Sequence, residues 1–205
     1  MGAPAYRRGG TRPAPALRHH RERIVVAPDQ TLRIAVVADT HSRPHPDAHA
    51  RLASLAPSLI LHGGDIGDLA VIDDLARVAP VIAVRGNIDD RASAIPDVAT
   101  IAVGDAAATR ATLLLLHIAV AGPRLRADAA RLAAAEGAGL VVCGHSHVPF
   151  IGRDKGRYVF NPGSIGPRRF TLPIVFGVIE LSPTSMSMRH VDCETGLSWS
   201  PAARG

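Results

Sequence analysis

Three observations predict an α/β fold. Five apolar, β-rich runs recur from residue 32 onward: LRIAVVADTH, SLILHGGDIGD, PVIAVRGNIDD, TLLLLHIAVAG and GLVVCGHSHV. Amphipathic helical patterns lie between several of them, in PDAHARLASLAP, DLAVIDDLARVAP and PRLRADAARLAAAEGAG. Aromatic residues make up only 3% of a chain that is 47% hydrophobic, so the core must be built from Val, Ile, Leu and Ala. Continuous apolar strands alternating with amphipathic helices read as a largely parallel sheet covered on both faces.

Each run breaks into polar residues at its carboxyl end. The first ends in Asp39 and His41, and the second in Gly63, Gly64 and Asp65. The third ends in Gly86, Asn87 and Asp89, the fourth in His117, and the fifth in His145 and His147. After the fifth run the style changes. GRDKGRYVF reads as a hairpin turning at Lys155-Gly156, and PIVFGVIEL and SMSMRHVD read as further antiparallel strands.

The termini carry less pattern. Residues 1–23 hold six arginines against one acid, Glu22, which matches the whole formal charge of +5, so the remainder is close to neutral. Rich in Pro, Gly and Ala and without hydrophobic period, residues 1–30 are expected to be a disordered basic arm. Arg7-Arg8 resembles a twin-arginine pair, but no apolar stretch follows it, so export is not expected. Residues 31–193 then form the domain and 194–205 a C-terminal tail. No apolar run approaches the roughly 20 residues that cross a bilayer. Two cysteines, Cys143 and Cys193, make no disulfide framework and suit a reducing compartment, so a soluble, cytoplasmic protein without membrane contact is expected.

In sheets of this kind ligands bind beyond the carboxyl ends of the strands. That places Asp39, His41, Asp65, Asn87, His117, His145 and His147 at one edge. Residues two apart in a strand point the same way, so Asp39 and His41 are expected to project together, as are His145 and His147 if extended geometry persists. Seven donors, two carboxylates, one amide and four imidazoles, are too many for one ion and suit two. A mixed nitrogen and oxygen set favours manganese, iron or zinc over calcium. One carboxylate must bridge the pair, and Asp65 is the natural candidate. His62, His45 and His49 read as structural or surface histidines.

The ordered set DTH, GGD, GN-x-D, a lone His after an apolar strand, GHSH and NPGS (Asn161 to Ser164) resembles the calcineurin-like metallophosphoesterases, and its compactness resembles their small YfcE-like phosphodiesterase branch. The resemblance spans about residues 32–182. It implies a four-layer αββα sandwich of two mixed β-sheets around a dinuclear centre. Asp39, His41, Asp65 and His147 would hold one metal, and Asp65, Asn87, His117 and His145 the other. Asp65, Asn87 and His117 would also serve catalysis. The NPGS loop would buttress the site, with Arg168 or Arg169 near the substrate's entrance; Arg168 is taken as the substrate contact.

This sequence departs from the family pattern at Ser42 and Ile118, where glycine is usual. It also has Ile88, where many relatives carry a histidine or cysteine able to donate a proton. The expected reaction is therefore hydrolysis of a small phosphodiester whose leaving group needs no proton. Two divalent ions support it, manganese first, with iron, zinc, nickel or cobalt as alternatives, and a metal-bridging hydroxide attacks phosphorus. Competing readings are a non-catalytic protein-interaction scaffold on the same fold, and a nuclease. Nucleic acid is not expected as a partner, because the domain lacks net positive charge. A homo-oligomer is compatible with the sequence.

Overall fold

The computed structural model describes residues 17–201. In chain order the elements are β1 (His19–Val25), β2 (Leu32–Val37), α1 (Ala48–Ser54), β3 (Leu59–His62), α2 (Ala70–Ala76), β4 (Val81–Ala83), β5 (Val98–Gly104) and β6 (Thr109–Leu116). There follow β7 (Val120–Ala121), β8 (Arg124–Leu125), α3 (Ala127–Ala135), β9 (Leu140–Val142), β10 (Phe150–Asp154), β11 (Arg157–Asn161), β12 (Val175–Leu181), β13 (Met186–Asp192) and β14 (Ser198–Trp199). One six-stranded sheet runs β1-β5-β6-β9-β11-β10, and a second runs β14-β13-β12-β2-β3-β4. Both are mixed. β2, β3 and β4 are parallel in one sheet, β6, β9 and β11 in the other, and antiparallel strands flank both groups.

Side-chain alternation explains the layering. Ile34 and Val36 of β2 share the core between the sheets with Leu113 and Leu115 of β6 and Leu140 and Val142 of β9. The intervening Ala35 and Val37 face the other way, onto Leu52 of α1 and Leu75 of α2. On the opposite outer face Leu114 and Leu116 pack with Ala129 and Ala133 of α3. The order is therefore helices, sheet, sheet, helix. Strands apolar on both faces give continuous apolar runs rather than an alternating pattern.

This corrects the reading of one largely parallel sheet. Period and composition identify a doubly buried strand but not which of two sheets it joins. β5, absent from the five runs, joins β1 to β6 and ends without a chemically distinctive residue.

Two terminal boundaries also change. His19–Val25, expected within the disordered arm, is an edge strand paired in parallel with β5 over seven residues. Its charges obscured it: exposed side chains on an edge strand leave no hydrophobic period, and such charges protect the edge from further pairing. Arg21 is anchored to Glu136 at 2.7 Å, and Ile24 packs against the inter-sheet core. Residues 1–16 of that arm lie outside the described residues. In the expected C-terminal tail, Ser198 and Trp199 pair with β13, and the Trp199 ring meets His190 edge-on at 5.8 Å. The Lys155-Gly156 hairpin forms as expected, both residues taking positive φ (49° and 77°), as a two-residue hairpin turn requires. No described helix is long and apolar enough to cross a membrane.

Candidate metal centre

All seven candidate residues follow the carboxyl ends of β2, β3, β4, β6 and β9. The chain does not leave these strands in extended form. Asp39, His41, Asp65, His145 and His147 have φ of 55°, 46°, 52°, 68° and 57°. Non-glycine residues adopt this left-handed conformation rarely, at a cost of order 1–3 kcal/mol each, and such strain clusters at functional sites. The expectation of extended pairs is thus corrected. Tight turns, not strand parity, aim the side chains, and His145 and His147 part company.

The side chains fall into two groups, each with one donor atom per residue lying within 4.8 Å of the others. Asp39, His41 and His147 form the first, and Asp65, His117 and His145 the second. Asp65 stands between them: Oδ1 is 3.2 Å from His117 Nε2 and Oδ2 is 3.7 Å from His41 Nε2. In the first group His147 Nε2 lies 3.5 Å from Asp39 Oδ1 and 3.4 Å from His41 Nε2, the two rings being stacked. In the second, the His117 and His145 rings meet edge-on at 5.1 Å. Asn87 is exposed and lines a cleft together with His117.

Close backbone approach permits this convergence. A Cβ at Gly86 would collide with the backbone nitrogen and Oδ1 of Asp65. At Gly64, with φ of 92°, a Cβ would sit 2.7 Å from His117 Nδ1. Buried polar groups then hold the loops together. Asp89 accepts backbone N–H bonds from Ile66 (3.0 Å), Gly67 (2.9 Å) and Gly86 (2.7 Å), tying the loop after β3 to the loop after β4. His62, fully buried, accepts at Nδ1 from the N–H of Gly64 and contacts Thr40 Oγ1 at 3.1 Å, as a structural histidine should. Asn161 donates to the carbonyl of Gly144 (2.7 Å) and to Ser146 Oγ (3.1 Å), while Ser164 donates to the carbonyl of Asp39 (3.0 Å). The NPGS loop therefore braces both clusters from behind. Asp89 is not among the seven candidate ligands; its place in GN-x-D is the sequence signal for this role.

Electrostatics set the two carboxylates apart. Burial raises Asp39 to about 7, despite the charge of His117 and the N–H of His145 directed at it. Burial also acts to raise Asp65, but the neighbouring His117 outweighs it and holds the carboxyl down at about 2. His117 itself is raised: desolvation opposes its charge, and Asp65 and the Gly63 carbonyl overcome that. His147 is lowered to about 4, first by burial, then by Arg169 and His41.

These groups fit divalent cations. His117 Nδ1 lies 2.7 Å from the Gly63 carbonyl, to which it donates, so Nε2 presents its lone pair to the second cluster. That buried Nε2 has no hydrogen-bond partner and faces a carboxylate oxygen, an arrangement that a shared cation relieves. The mixed imidazole and carboxylate donors suit borderline metals.

The substrate contact assigned to Arg168 is not where the structure leads. Its guanidinium is engaged by Glu194 and the Leu172 carbonyl, whereas Arg169 Nη2 lies 3.1 Å from His41 Nε2. Adjacent residues at a turn point in different directions, which sequence could not resolve. Ser42 adopts φ of 65°, explaining why glycine suits that position, and its hydroxyl accepts the N–H of Asp68 at 2.9 Å. Ile118 is absent from the positive-φ residues, so the usual glycine is not needed there. Ile88 is half exposed, and its N–H lies 3.3 Å from Asp65 Oδ1.

With that geometry in place, the comparisons decide the family. Residues 32–184 match the family model described as the calcineurin-like phosphoesterase superfamily domain. The chain belongs to this superfamily. A probable metallophosphoesterase of Methanocaldococcus jannaschii is 31% identical over 141 residues, covering 65% of this chain and 68% of the relative. Among solved structures, Vps29 of Entamoeba histolytica complexed with zinc matches with a TM-score of 0.65 at 20% identity, covering 82% of this chain and 96% of that one. The phosphoesterase YfcE of E. coli matches with a TM-score of 0.56 at 19% identity, covering 82% and 97%. At these identities the structural likenesses bear on the fold alone. The superfamily membership and the two clusters make this a metallophosphoesterase-family chain with candidate metal-binding residues.

Proposed function

We propose that the protein is a dinuclear metal-dependent phosphodiesterase. One observation carries the reading: the two oxygens of Asp65 face different clusters, Oδ1 toward His117 and Oδ2 toward His41. Asp39, His41, Asp65 and His147 would hold one cation, and Asp65, Asn87, His117 and His145 the other, with manganese expected first. Cations bound there supply Lewis-acid activation of water and neutralise charge at a phosphoryl group. The chain's own residues do the rest. Asp65 would offer one oxygen to each cation, and the Gly63 carbonyl keeps His117 in the tautomer that can ligate. Asn161 and Ser164 hold the loops in register. Arg169 stands at the first cluster, where a guanidinium can receive phosphoryl oxygens.

Ile88 has no proton to give, which favours esters whose leaving group departs as a stable anion. The test is hydrolysis of bis(4-nitrophenyl) phosphate by protein loaded with manganese, nickel, cobalt or zinc, between about pH 6 and 9. Turnover that needs metal supports the proposal; no turnover with any of the four overturns it.

A protein-interaction scaffold is the second reading, favoured by the likeness to Vps29 and by Ile88. All seven donor positions are filled, which weighs against it. Turnover separates the two, since the Vps29 structure itself holds zinc: a scaffold hydrolyses the diester with none of the four metals. Cys143 and Cys193 are both buried free thiols, held up at about 12 by burial, which supports a cytoplasmic location.

A further inference from the structure

Beside the second cluster lies a cleft of about 550 Å³, within the range of pockets that enclose small organic ligands. His117 and Asn87 are among its lining residues. Its apolar lining comes from Leu17, Val98, Leu116, Ile118, Ala129 and Leu132. Three carboxylates, Asp90, Asp97 and Asp128, also line it, with Arg85 as a cation. Arg85 is not available to an anion, because it pairs with Asp97.

One wall comes from a part of the chain outside the superfamily match, which begins at residue 32. Leu17 is 58% exposed and lies just before β1. The next residue, Arg18, is clamped to the far wall. Its N–H donates to Asp97 Oδ2 at 2.8 Å, its carbonyl accepts the N–H groups of Asp97 (2.8 Å) and Val98 (3.2 Å), and its guanidinium meets Asp97 and the Ser93 carbonyl. β1 then locks the segment to β5. Leu17, held by Arg18 and β1, thus adds a lining residue to the cleft from outside the matched domain.

We infer that this cleft is a substrate subsite, with Leu17 among its apolar lining residues, that takes an uncharged apolar ester group. The inference rests on the phosphodiesterase reading for the identity of the ligand's other half. Apolar walls favour burial of a ring or alkyl group. Asp97 is paired with Arg85 and Arg18, and Asp128 with Arg126, so the described lining presents no free cation to a second phosphate, and a polynucleotide or nucleotide polyphosphate gains nothing by extending this way.

Equilibrium binding of phenylphosphonate and methylphosphonate to the full chain tests this, since neither ligand is an ester that can be hydrolysed. With the manganese-loaded protein, phenylphosphonate should bind about tenfold tighter or more. Leu17→Asp and Leu132→Glu, each placing a charge in the cleft away from the proposed ligands, should each cut that ratio to about threefold or less. A ratio near one in the unmodified chain, or a ratio that survives both substitutions, overturns the subsite. Bis(4-nitrophenyl) phosphate hydrolysis, followed in parallel, tests the parent reading separately. Metal-dependent turnover with a flat ratio removes only the cleft. A steep ratio without turnover removes only the phosphodiesterase.

Discussion

The two clusters look alike in composition and differ in setting. Asp39 and His147 of the first are buried, with the Asp39 carbonyl held by Ser164 and Arg169 lying against His41. The second includes the exposed His145 and opens, through His117 and Asn87, onto the apolar cleft. One is closed by protein and the other faces a space large enough for a ligand. A pair built this way is inequivalent: the first cluster suits retention of a cation, the second suits contact with whatever enters.

The largest test of that comparison is to remove what joins the halves. Asp65→Asn should lower metal-supported kcat by about 10³-fold and reduce the bound metal per chain, read by elemental analysis. Retained stoichiometry with activity within about tenfold of the parent would falsify the bridging role. Next in size is a gain. Ile88→His, on the exposed residue beside Asn87, should raise turnover of alkyl diesters by about 10²-fold, with little change for nitrophenyl esters, whose leaving groups need no proton. Equal effects on both classes would show that the new imidazole does something other than donate a proton.

Smaller effects should separate first cluster from second. Ser164→Ala removes the bond to the Asp39 carbonyl, so it should weaken the first cation by about tenfold while sparing the second. Asn161→Ala loosens the loop carrying both His145 and His147, so both affinities should fall. Two-step metal titration distinguishes these patterns; identical losses in the two variants would mean the clusters are not independently braced. Asp89→Ala removes three backbone contacts and should cost about 3 kcal/mol of stability in urea unfolding.

The smallest expected effect is a pH slope in metal-stripped protein. Asp39 sits at about 7 in the fold against 3.8 unfolded, so the folded chain keeps a proton that the unfolded chain has lost. Its contribution is fully present below the unfolded value and is lost as pH rises through about 7. His62 and His147, both lowered from 6.5 to about 4, act in the opposite sense between those values. The Asp39 contribution is therefore read as a difference between variants: from about pH 4 to 7, Asp39→Asn should shift the pH slope of stability upward relative to the parent by up to about 1.4 kcal/mol per pH unit. A variant with the parent's slope would remove Asp39 as its source.

What the amino-acid sequence determined by itself was local. Runs apolar on both faces can only be doubly buried strands, and donors at their ends must gather wherever those ends gather. On that ground the convergence of Asp39, His41, Asp65, His117, His145 and His147 was legible before any coordinates, with Asn87 falling at the neighbouring cleft. Tertiary structure alone decided the rest. It divided the five runs between two sheets, parted His145 from His147 through left-handed turns, and set Arg169 rather than Arg168 against His41. It also recruited the charged segment His19–Val25 as an edge strand. The physical reason is one of range. Burial period and donor chemistry act within a few residues, whereas register, turn direction and edge pairing depend on partners tens of residues away that leave no mark on the local pattern.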